Sequence, residues 1–182
     1  MQFEGQSLNK ISEQLTDEND RSIAIIAASL LDLQLEQLLR RTMLDHKEIS
    51  DFFRGYGPLA TLSAKASLAL FLGLIPADLF SDLTYIRKIR NSFAHTFEEL
   101  SFDKPPVSDF VANFVSVKWF LQCMPLADKP ITKDEEQKIQ TSPRRAFEIA
   151  VAILVLQLDS YERSTTRLTA EKPAFPFPAA FK

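Results

Sequence analysis

Histidine and cysteine are almost missing from this chain, which has two of the first and one of the second. One cysteine forms no intramolecular disulfide, and two histidines give neither zinc-finger spacing nor a His-x-x-x-His pair. The sequence therefore offers no metal site and calls for no cofactor. Cys123, set among Trp119, Phe120, Leu121 and Met124, reads as a small buried apolar residue. Glycine is nearly as scarce, with four, which argues against a turn-rich β fold. Gly55-Tyr56-Gly57-Pro58 breaks the chain, but no Gly-Lys-Ser or Gly-x-Gly-x-x-Gly pattern makes it a phosphate cradle. A net charge of −3 excludes a protein that coats nucleic acid by overall charge, leaving only local basic patches open. The longest uninterrupted apolar run, Ile149–Leu156, falls well short of the ~20 residues of a membrane span. With no basic-then-apolar signal at the start, the expectation is a cytoplasmic protein with no membrane contact.

What is abundant is phenylalanine, 15 residues, together with long stretches of helical periodicity. The expectation is one all-α domain over 1–182, a multi-helix bundle around a long buried central helix. Residues 1–15 read as a short amphipathic helix with Leu8, Ile11 and Leu15 on one face. Thr16 then offers an N-cap to the longest helix, about 17–45, whose Ile23–Ala28 segment is apolar on every side. Short helices follow over Lys47–Arg54 and, from Pro58, to a C-cap at Gly73; Pro76 opens the helix that ends at His95. After a loop over Thr96–Val107, Ser108–Phe114 and Val115–Met124 form one broken or two short aromatic-rich helices. Thr132-x-x-Glu135 fits a capping box, and Ser142-Pro143 opens a strong helix to about Ser164. Arg144 and Arg145 stand against that helix's dipole and are expected in solvent. The Pro- and Phe-rich tail 173–182 is expected to dock its rings in grooves.

The densest group of basic and polar residues is Leu83–His95. On a helical wheel Leu79, Leu83, Ile86 and Phe93 form one stripe, and Arg90 falls near its middle. A buried arginine cannot deprotonate and needs carboxylate or backbone acceptors. Asp32 and Glu36, four apart on the central helix, are the expected partners, although Glu36 also stands in favourable order with Arg40. Arg87 lies one turn before Asn91 and His95. Lys65 interrupts a small, apolar segment and is expected to lay its stem on apolar surface with its head in water. Asp32, Glu36, Lys65, Arg87 and Arg90 are thus the candidates for ion pairing or for an interface. No helix-turn-helix stands out, because Pro58–Leu72 has no Arg, Asn or Gln to read bases; direct sequence-specific DNA binding is unsupported.

Arg21–Leu39, Pro58–Lys65, Leu72–Ile75 and Asp82–His95, taken in order, resemble the mannitol operon repressor (MtlR-like) family. The resemblance is strongest over about 16–102 and continues more loosely through a C-terminal helical part, 103–172. It implies an all-helical bacterial repressor of a mannitol or carbohydrate uptake operon. Such a regulator would be non-enzymatic, homo-oligomeric with a dimer favoured, and would act through a protein partner. Arg90-Asn91-Ser92-Phe93-Ala94-His95 also resembles the motif of HEPN domains, which implies a HEPN-like core. Active members of that group are metal-independent ribonucleases. On that alternative His95 would be the general acid/base, Arg90 would stabilise phosphate charge and Asn91 would orient one of them.

Overall fold

The computed structural model describes residues 18–95, 100–123 and 131–168. The expected helix 1–15, the Thr16 cap and the 173–182 tail lie outside the described residues. Among those described there are eight helices and no strand, in agreement with an all-α bundle. They are α1 (Asp20–Thr42), α2 (Ile49–Phe52), α3 (Leu62–Phe71), α4 (Ala77–His95), α5 (Val107–Val111), α6 (Val115–Cys123), α7 (Lys133–Thr141) and α8 (Pro143–Ser164).

Helix α1 is the axis of the bundle, packed by α8, α4 and α3. Ala24, Ala27 and Ala28 are buried, and their small side chains allow close approach, while Leu31, Leu35, Leu38 and Leu39 fill the core further along. By length and hydropathy α1 resembles a membrane span, but its buried face belongs to this core. The helix begins at Asp20 and is capped by Asn19, whose side chain accepts from the Ser22 N–H at 2.9 Å, three residues later than the expected Thr16 cap. Its apolar first half is not buried all round: Ile25 and Ile26 are exposed, as is Leu33 further along, because the three neighbours all pack on the opposite side.

The phenylalanines explain how the end of α4 is held. Phe93 stacks at 5.2 Å on Phe102, Phe102 at 4.7 Å on Phe147, and Phe147 at 6.2 Å on Phe114. This chain of tilted rings ties α4, the loop before α5, and α8 into one unit.

Capping fixes the remaining starts and stops. Helix α3 does not start at Pro58; Thr61 caps it, accepting from the Ala64 N–H at 3.2 Å. It ends at Gly73, whose φ of 69° permits the paired bonds Gly73 N–H to Leu70 and Leu74 N–H to Ala69. Thr132 and Ser142 cap α7 and α8 as the spacing predicts.

Candidate functional site

The side chain that organises the charged side of the bundle is Lys65. It is 2% exposed, and its ammonium donates to Asp32 Oδ2 at 2.7 Å and to Glu36 Oε2 at 3.2 Å. The expectation that its head reaches water is wrong, since α3 lies against α1 and presents Lys65 to both carboxylates. A buried ammonium is tolerated only with such compensation. Arg40 completes the cluster, with Nε 2.8 Å from Glu36 Oε1 and its guanidinium 4.4 Å from the buried Phe53 ring. Burial alone would raise the Glu36 carboxyl, but the hydrogen bonds from Arg40 and Lys65 outweigh it and hold it below the ordinary carboxylate value.

Arg90 does not take the partner the helical wheel assigns it. It is exposed, and its Nη1 donates to Asn91 Oδ1 at 3.1 Å rather than to Asp32 or Glu36. The buried stripe of α4 runs through Leu79, Asp82, Leu83, Ile86, Ile89 and Phe93. That centres it on Ile89 rather than Arg90 in the last turns. Asp82 was hidden from periodicity because it is polar. It is 1% exposed, and its two oxygens accept the Val115 and Ser116 N–H groups, each at 2.8 Å, capping α6 from a neighbouring helix.

Arg144 and Arg145 are not in solvent either. Arg144 bonds Asp20 at 2.9 Å and Glu148 at 3.2 Å; Arg145 bonds Glu135 at 2.7 Å and Glu148 at 2.9 Å. Glu148, 5% exposed, answers the two charges from the next turn, which removes the conflict with the dipole. Burial would lower the Arg145 pKa, but its bonds to Glu148 and Glu135 raise it instead. Asp20 also accepts from the Phe102 N–H at 3.1 Å, so this network locks the start of α1 to α8 and to the loop before α5. Cys123 is only partly buried.

Beside the Lys65 cluster a cleft of about 440 Å³ opens between α1, the start of α3 and the end of α4. Asp32 forms part of its floor, and Arg87, Arg90 and Asn91 line the α4 wall. Ser29, Thr61 and Ser63 supply hydroxyls from the other sides. Asp32, Arg87, Arg90 and Asn91, all singled out in the sequence, thus meet in one cleft. Glu36 and Lys65 stand behind it, bonded to Asp32 or to its partner. His95 is exposed at the end of α4 and does not line the cleft. No group of three potential metal ligands occurs among the described residues.

Comparison with known proteins places this architecture. The family model described as MtlR, mannitol repressor, matches residues 7–164. Of the solved structures, a possible transcriptional regulator, YggD, from Shigella flexneri 2a str. 2457T is similar at 22% identity with a TM-score of 0.62. That similarity covers 83% of this chain and 98% of the other. The MtlR–HPr complex from Escherichia coli is similar at 21% identity with a TM-score of 0.54, covering 87% of this chain and 97% of that one. No curated protein matches the sequence.

Proposed function

The chain belongs to the mannitol repressor family, and on that premise we propose that it represses a mannitol or related carbohydrate uptake operon in the cytoplasm through a protein partner. The observation that carries this reading is the family match across residues 7–164, which spans all eight described helices. The reading includes a non-enzymatic mode of action, which membership of a repressor family supports. Two features support the partner-mediated route. Helix α3, which follows the Gly55–Pro58 turn, carries no base-reading side chain and buries its single cation, Lys65, against α1. The similar Escherichia coli structure is, by its description, a complex with HPr. The reading also includes self-association, in the simplest case a dimer, and is supported by the exposed Ile25, Ile26 and Leu33 on the outer face of α1.

Two titrations of the purified protein test the mechanism: one with promoter DNA of the operon at physiological salt, one with the HPr of the same cell. Saturable binding to HPr, with no preference for promoter over unrelated DNA, is expected. Strong promoter preference by the protein alone would overturn the partner-mediated route.

A second reading rests on one contact. Arg90 donates to Asn91 beside an exposed His95, the three residue types of the HEPN motif at one helix end. It requires chelator-resistant cleavage of single-stranded RNA that is lost in His95→Ala. No cleavage, or cleavage unchanged in the variant, removes it.

A further inference from the structure

We infer that the cleft between α1, α3 and α4 binds a phosphomonoester of a small polyhydroxylated molecule, with Arg87 and Arg90 as the phosphate ligands. Arg87 is half-buried, yet it makes no hydrogen bond or ion pair with any described residue. That is unusual for a guanidinium, whose five donors are costly to leave without acceptors. Arg90 spends one nitrogen on Asn91 and has the rest of its fork free of described partners. The two stand three apart on one face of α4 and line the same cleft wall, so both forks can converge on one tetrahedral anion.

The local charge points the same way. Asp32 would repel an anion from the cleft floor, but Lys65 is bonded to it from behind. The charged side chains of the cleft lining and the adjoining cluster, taken together, are Arg87, Arg90, Lys65 and Arg40 against Asp32 and Glu36. Two positive charges are left, which match the roughly two negative charges of a phosphomonoester near neutral pH.

Shape and lining select what carries the phosphate. The volume is that of a small-molecule site rather than of a bare ion. No aromatic ring lines the cleft, so a nucleobase has no stacking platform there. Ser29, Thr61 and Ser63 bring three hydroxyls to the lining instead. A second hollow of about 280 Å³ between α3 and α4 shares Leu62, Ser63 and Arg87 with the first and is otherwise mostly apolar, with Ala66, Phe80 and Leu83 beside Ser67 and Thr84. Arg87 therefore sits at the junction. A phosphate held there leaves the rest of the molecule in the first cleft, within reach of Ser29, Thr61 and Ser63. The site stands on this geometry alone; only its role as an effector site of the repressor rests on the proposed function.

The test is isothermal titration of the full chain with mannitol 1-phosphate and glucose 6-phosphate, beside free mannitol, inorganic phosphate and a nucleoside monophosphate. Binding of at least one sugar or polyol phosphate at millimolar concentration or below is expected, tighter than inorganic phosphate or the nucleotide. Arg90→Gln should weaken it about tenfold, the worth of one charge-assisted hydrogen bond. Arg87→Gln with Arg90→Gln should abolish it, while Arg163→Gln, on the distant end of α8, should leave it unchanged. Ser63→Glu, which adds a negative charge to the cleft, should also abolish it without touching the arginines. Equal unfolding temperatures of the variants separate lost binding from lost folding. The inference is overturned if no sugar or polyol phosphate binds, if inorganic phosphate or the nucleotide binds as tightly, or if binding survives the double substitution. Binding only to a phosphorylated protein side chain would overturn it too.

Discussion

Lys65 Nζ lies 2.7 Å from Asp32 Oδ2, and this contact fastens α3 to the central helix across 33 residues of sequence. Removing the ammonium would strand Asp32 and leave Glu36 with Arg40 alone. Lys65→Met should cost about 3 kcal/mol, the lower end of the range for breaking a buried pair, because Asp32 and Glu36 keep some solvent. Lys65→Met combined with Asp32→Asn and Glu36→Gln should recover much of that loss. Urea unfolding of the set checks it; a near-neutral Lys65→Met would mean that the buried contact contributes nothing.

Acid should loosen the same junction. The folded Glu36 carboxyl, held below its ordinary value of 4.5, binds a proton less readily than the unfolded one. Its contribution to stability is therefore complete above about pH 4.5 and is lost as the pH falls through the lower folded value. Unfolding free energies measured from about pH 7 down to about pH 3 should fall less steeply in Glu36→Gln than in the native chain. Identical slopes would remove Glu36 from the account.

Arg90 supplies the contrast. An arginine locked to Asp32 would be expensive to replace, whereas the exposed Arg90 touches only Asn91. Arg90→Met should therefore cost less than about 1 kcal/mol. A loss of several kcal/mol on thermal or urea unfolding would show that Arg90 carries structure after all.

Asp82 has the opposite profile, buried and doubly bonded to the start of α6. Asp82→Ala should destabilise by about 2 kcal/mol, by orphaning two backbone donors, and Asp82→Asn by roughly half as much. Hydrogen exchange at Val115 and Ser116 should accelerate in step with the loss. An Asp82→Ala protein with native exchange rates there would contradict the capping role.

What could be read from the sequence follows the range of the interaction. Ser142-Pro143 and Thr132 act within one helical turn, and both helix starts were legible. The Glu36–Arg40 pair, four residues apart, was legible for the same reason. Lys65–Asp32 and Asp82–Val115 each span 33 residues, and Arg144–Asp20 spans 124. Only the packing of whole helices decides such pairs. The wheel chose Arg90 over Ile89 because periodicity locates a face to within about one residue's rotation, and that margin separates core from cleft. Asp32, Arg87 and Arg90 were legible as ion-pair or interface candidates and Asn91 as part of the HEPN-like motif, but the cleft that they share was not.

The measurement closest to the central claim is the transcript level of the mannitol uptake operon in cells grown without mannitol. It is compared in cells that carry this chain and in cells from which its gene has been deleted. A repressor predicts a clear rise on deletion and a return to the low level when the chain is supplied again. An unchanged transcript, or a fall on deletion, would contradict the account.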